Sequence, residues 1–162
     1  MAGLTMAVLD AAQLEAFLQE AFPQSRLAMT VEEVTDHGVR VRQPFDPSQI
    51  RPGGTISGPT LMTLADTAMY LAVVAAIGPV ALAVTTSLQI DFLRRPGPVA
   101  VVAEAELLKL GSRLAVGDVR LSSEGDPAPV ARASVTYSIP PGSRAAEPRA
   151  PGTSASACRP RS

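Results

Sequence analysis

Apolar residues recur at helical spacing at Leu14, Phe17, Leu18 and Phe22, and Pro23 closes the run, which predicts a helix over residues 9–21. Residues 27–34, LAMTVEEV, read as a strand. After the TDHG turn, VRVRQPF alternates apolar and polar with period two, so a hairpin is expected around Asp36-His37-Gly38. Residues 46–58, DPSQIRPGGTISG, are loop chemistry throughout. Pro59 suits the first position of a helix, where a missing N–H is harmless, and the apolar run then continues to about Ile77. That helix is apolar nearly all round, and its alanines at 65, 68, 72, 75 and 76 permit close packing, so protein should surround it. Gly78-Pro79 ends it. Three strand-like segments follow, at about 82–94, 99–109 and 112–122, and VARASVTYSI alternates as a final strand.

The order is therefore helix, two strands, long buried helix, four strands. Short turns between the later strands imply antiparallel neighbours. Loops alone cannot bury the central helix, so the sheet has to curl around it. The expected class is α+β with a hotdog fold, an antiparallel sheet wrapped around a long central helix. The expected divisions are an N-terminal helical segment at 1–24, the hotdog domain at 25–140 and a tail at 141–162. The tail is rich in Pro, Ser and Ala and poor in bulky apolar residues, so disorder is expected there.

Composition narrows the function. The chain has 162 residues, enough for one domain, and 46% hydrophobic residues, enough for a core. A net charge of −1 and 4% aromatics, with no Trp, give no basis for nucleic-acid binding. The lone cysteine, Cys158, cannot form an internal disulfide. The N-terminus lacks a basic stretch before its apolar residues, so no signal peptide is expected. Both features point to the cytoplasm. The uncharged run 67–84 meets the length of a membrane span, but Gly78-Pro79 interrupts it and no basic cluster flanks it, so a membrane partner is not expected. The single histidine, His37, sits in a turn, which excludes a Ser-His-Asp triad and histidine-dependent dehydration. No His/Cys cluster supports zinc, and no phosphate-cradling glycine motif is present.

The segment GTISGPTLMTLADTA resembles the core motif of hotdog acyl-CoA thioesterases of the phenylacetate-degradation (PaaI-like) type, N-x-x-G-T-h-H-G-G followed by a helix containing L-A-D. TTSLQIDFLRRPGP is similar to that family's T-x-x-L-x-h-x-F-L-R-P strand, and AEAELLKLGSRLAVGDVRL and VARASVTYSIPP fit its last strands. The resemblance spans roughly residues 25–140. It implies hydrolysis of an acyl- or aryl-CoA to free acid and CoA, without a metal or redox cofactor. By position, it implies that Asp66 is the catalytic carboxylate, that the Gly58 N–H polarises the thioester carbonyl, and that Thr85 helps hold the attacking water. Ser57 stands where the family usually has His, and Arg51 where it usually has Asn. Ser57 is a candidate hydrogen-bond donor to the carbonyl, or simply a helix cap. Arg51 is a candidate partner for a phosphate. These two departures also fit a non-catalytic hotdog module that binds acyl-CoA.

The chemistry stands without the family. Thioester hydrolysis needs a base or nucleophile and a stabiliser for the oxyanion. A helix N-terminus at Ser57-Gly58-Pro59 offers free N–H groups, and Asp66 offers the carboxylate. Their separation sets a constraint. Eight helical positions span about 12 Å, so one carbonyl carbon cannot touch both. The two groups must then come from different chains, with central helices antiparallel across a twofold axis. A homodimer, or a dimer of dimers, with subunit-shared sites is expected. Arg94, Arg95, Lys109 and Arg113 are candidate contacts for coenzyme A.

Overall fold

A computed structural model describes residues 7–25 and 28–143. Its elements are α1 (Ala11–Ala21), β1 (Thr30–Val34), β2 (Gly38–Gln43), β3 (Ile50–Arg51), β4 (Thr55–Ile56), α2 (Gly58–Ile77), β5 (Val84–Phe92), β6 (Val101–Leu110), β7 (Leu114–Ser123) and β8 (Pro129–Ser138). The tail from residue 144 onward, including Cys158, lies outside the described residues.

Six strands form one antiparallel sheet in the order β1-β2-β6-β7-β8-β5. α2 lies across its concave face, chiefly over β2, β6 and β7. This is the hotdog fold. From Ala68 to Ala75 every residue of α2 is buried, which is why the sequence there has no polar face. By length and composition alone α2 could cross a bilayer, but 67% of its apolar window is already buried by the rest of the chain. Gly38 lets β2 approach β6 closely: a Cβ there would lie 1.9 Å from the Ala105 carbonyl oxygen.

Two sequence expectations need correction. The segment 46–58 is not loop throughout. Residues Pro47–Gln49 form a 3-10 turn capped by Asp46, and β3 and β4 form a small hairpin whose turn uses Gly53 (φ 102°) and Gly54 (φ 74°). Pairing is too local there to show as a hydrophobic alternation. Likewise β5 does not neighbour β6. The connection 93–100 contains Pro96 and Pro98 and carries the chain across, so β5 pairs with β8 and becomes the sheet edge.

α1 is fixed by local and tertiary contacts. The Asp10 carboxylate accepts from the Gln13 N–H (2.8 Å) while the Gln13 side chain accepts from the Asp10 N–H (2.9 Å), a reciprocal cap. Leu14 is fully buried, and the Glu15 carboxylate accepts from the Val31 N–H at 2.8 Å. The convex face of the sheet is ionic instead. Arg40 pairs with Glu32 and Glu104, Arg42 with Glu124 and Arg132 with Asp118. Such exposed pairs add little stability, but they keep this face solvated. Large apolar side chains left exposed include Leu82, Val84, Phe92 and Leu93 at and beside β5 and Met62 on one stripe of α2, besides scattered ones such as Leu108 and Leu114.

Candidate active site

That stripe begins at the helix start. Pro59, Met62 and Thr63 are exposed and Asp66 and Thr67 half-buried, three to four residues apart on one side of α2. Asp66 therefore marks where the open stripe meets the buried half of the helix. Its Oδ1 accepts two hydrogen bonds, from the Thr85 hydroxyl of β5 at 2.6 Å and from the Tyr137 hydroxyl of β8 at 2.8 Å. The Tyr137 hydroxyl is also 3.1 Å from the Asp66 carbonyl oxygen. Among the described residues no donor reaches Oδ2. One oxygen is thus fixed and the other is free to react.

Tyr137 was not visible as a site residue in the sequence, where it reads as one more inward position of an alternating strand. Only the register of β5 against β8, which sets Thr85 opposite Tyr137, brings both hydroxyls to one carboxylate. Burial is the main cause that pushes the Tyr137 phenol far above its ordinary value, and the nearby Asp66 charge adds to it. Tyr70 is raised as well, by burial. A folded-state value above the unfolded one means that the folded form holds the proton longer. These groups therefore contribute nothing unfavourable below about pH 10, and stability falls as pH rises beyond it. The chain has only these two tyrosines. In a spectrophotometric titration at about pH 10.5, the folded protein should show less phenolate absorbance than the denatured one, with Tyr137 the more strongly suppressed of the two.

The second half of the site lies at the other end of β5. Ser57 caps α2, with its Oγ 3.4 Å from the Thr60 N–H and 2.8 Å from the Thr60 hydroxyl. As a first-turn residue, Gly58 has no intrahelical acceptor for its N–H. A Cβ on Gly58 would lie 3.3 Å from the Phe92 ring, so glycine keeps this corner open. A cavity of about 520 Å³ opens here, lined by Ser57, Gly58 and Phe92 together with Arg51, Arg94 and Arg95. Arg94 is steadied by donating to the Pro129 carbonyl at 3.1 Å. A separate cavity of about 390 Å³ contains Asp66, Thr85 and Tyr137. The two cavities share no lining residue. Within one chain the predicted site residues thus fall into two groups: Asp66 with Thr85, and Gly58 with Ser57 and the three arginines. Lys109 and Arg113 line neither cavity, and His37 is exposed in its turn. Among the described residues no group of His, Cys, Asp and Glu is arranged to hold a metal ion.

The sequence pattern of the thioesterase superfamily matches residues 53–130, which contain Gly58, Asp66 and Thr85. A Halobacterium salinarum protein provisionally named an esterase is 31% identical over 123 residues, covering 73% of this chain and 81% of that one. A crystal structure from Silicibacter sp. TM1040, provisionally named a thioesterase, is 44% identical, with a TM-score of 0.79 over 86% of this chain and 97% of the other. The chain belongs to the thioesterase superfamily. Membership carries the coarse activity, hydrolysis of a thioester. A Haemophilus influenzae thioesterase structure at 18% identity and a TM-score of 0.74, covering 86% of this chain and 96% of that one, shares the fold. In this superfamily member the motif helix carries a carboxylate with two hydroxyl donors, so the acid is built into the site rather than buried as a stray charge.

Proposed function

We propose that the chain is a cytoplasmic acyl-CoA thioesterase of the PaaI-like type, working as a homodimer or a dimer of dimers. Its reaction centre is shared by Asp66 of one chain and the Gly58 N–H of another. The observation that carries this reading is the free Oδ2 of an otherwise immobilised Asp66, facing an open cavity at one end of an unpaired edge strand. The oxyanion donor sits at that strand's other end.

The twofold follows from β5. It is the sheet edge, nine residues long, with its outer side unpaired. Exposed apolar residues gather at both ends, Leu82 and Val84 at one and Phe92 and Leu93 at the other. Antiparallel pairing of β5 with the β5 of a second copy sets the start of each strand against the end of the other. It covers these apolar groups and brings each Asp66 cavity beside the other chain's Gly58 cavity. The open stripe of α2 is covered by the same step.

In the reaction, Oδ2 of Asp66 takes a proton from a water as the water oxygen adds to the thioester carbonyl. The Thr85 hydroxyl, donating to Oδ1, still has lone pairs to accept that water's second hydrogen. The oxyanion is met by the other chain's Gly58 N–H at the positive end of its helix. The C–S bond then breaks, and the proton on Asp66 passes to the leaving thiolate. Thr85 and Tyr137 are positioning residues that leave one oxygen of Asp66 to do the chemistry. Addition of Oδ2 itself to the carbonyl, giving a mixed anhydride that water then opens, is the other route, and oxygen-18 from water appearing in Asp66 after a single turnover would identify it.

The test is release of free CoA from short, long and aromatic acyl-CoA esters, read with a thiol reagent. Hydrolysis of at least one class is expected. Tight calorimetric binding of acyl-CoA with no hydrolysis would instead make the protein a binding module.

A further inference from the structure

We propose that the acyl group of the substrate lies in the cavity beside Asp66, and that Phe22, at the end of α1, sets the chain length it accepts. This rests on the acyl-CoA reading above and goes on to orient the substrate within the shared site.

The two cavities differ in chemistry. The Gly58 cavity presents three guanidinium groups, Arg51, Arg94 and Arg95, which match the phosphates of coenzyme A. The Asp66 cavity presents an aromatic and aliphatic wall, chiefly Leu18, Phe22 and Tyr70. With the carbonyl held between the two, the anionic leaving group is drawn to the arginines and the acyl chain points into the aromatic side. Tyr70 follows Asp66 by four positions, so its ring begins about 6 Å further along the same helix face.

The wall is continuous. The Phe22 ring meets Tyr70 edge-on at a centroid distance of 5.7 Å, Phe17 stacks on Tyr70 at 6.2 Å, and Tyr70 lies 6.0 Å from Tyr137. The cavity volume of about 390 Å³ is in the range of small-ligand sites, towards its lower end. Phe22 is 46% exposed, an unusual state for a phenylalanine that touches an aromatic cluster and borders a cavity. An acyl chain reaching past Tyr70 would cover that ring and then be stopped by it. The fold does not depend on Phe22, because α1 is held by Leu14, its N-terminal cap and the Glu15 bond to β1.

The experiment compares kcat/KM for butyryl-, octanoyl- and dodecanoyl-CoA in the wild type, Phe22→Ala and Phe22→Trp. Each misfitted methylene in a pocket costs roughly tenfold or more. The wild type should prefer octanoyl over dodecanoyl by at least about tenfold. Phe22→Ala should shrink that ratio to about threefold or less, and Phe22→Trp should cut octanoyl about tenfold while leaving butyryl within about twofold. Affinities of the non-hydrolysable thioethers octyl-CoA and dodecyl-CoA are measured on the same variants. If hydrolysis occurs but neither the rate ratios nor the thioether ratios respond to residue 22, the pocket assignment is overturned and the thioesterase reading stands. If thioether ratios respond while no ester is hydrolysed, the acyl pocket is supported and the chemistry fails.

Discussion

Asp66→Asn should lower kcat by about a hundredfold to ten-thousandfold, the usual worth of a positioned general base, and should leave acyl-CoA binding within a few fold. The substitution is nearly isosteric. The amide oxygen can still accept from Thr85 and Tyr137, so the local geometry survives. What disappears is the basicity of the free oxygen. The measurement is a single-turnover rate beside a calorimetric Kd for an acyl-CoA thioether. An unchanged rate removes Asp66 from the mechanism. A lost rate accompanied by lost binding would make it a structural residue. Thr85→Ala and Tyr137→Phe should each do less, because the other donor still holds Oδ1.

Leu93→Asp should turn the protein into a folded monomer without measurable thioesterase activity. Leu93 is 52% exposed, follows directly on β5, and lies outside both cavities. In the protomer its side chain is half-exposed and borders a pocket that also holds Asp118, Arg120 and Arg132, so a carboxylate there stays hydrated beside two guanidinium groups and costs little. In the β5-to-β5 dimer it would meet the Leu82–Val84 end of the other strand, twice by symmetry. Burying unpaired carboxylates at both places costs several kcal/mol. Sedimentation should report the monomer, circular dichroism should match the wild type, and CoA release should vanish because each chain alone holds half a site. A monomeric Leu93→Asp protein with full activity would show that one chain suffices.

Most of the fold was legible because its signals are local. Period-two alternation gave β2 and β8, β6 and β7 read as strand-like segments joined by a short turn, the Gly78-Pro79 break ended α2, and the absence of a polar face on that helix required a wrapping sheet. The edge position of β5 was not legible. Its residues alternate less clearly than the others, and whether a strand pairs with its sequence neighbour depends on a crossover that periodicity does not encode. The same divide runs through the site. Asp66 stood out because a carboxylate in an apolar helix is unusual in place, and Gly58 because the family resemblance and the free N–H groups of a helix start both fall on it. Ser57 now has a capping role in hand, which accounts for it without chemistry. Tyr137 and Phe22 had no such mark, since each looks like an ordinary core aromatic until register and tertiary packing set it beside Asp66.

The shared site is tested most directly by mixing two inactive chains. Asp66→Asn loses the carboxylate, while Gly58→Val fills the corner that glycine leaves open against Phe92. Each homodimer should be nearly inactive. A mixed dimer isolated through two different affinity tags contains one site with both halves intact and one with both damaged. It should therefore recover about half of the wild-type activity per dimer. A mixed dimer no more active than its two parents would place both groups of each site on the same chain and contradict this account.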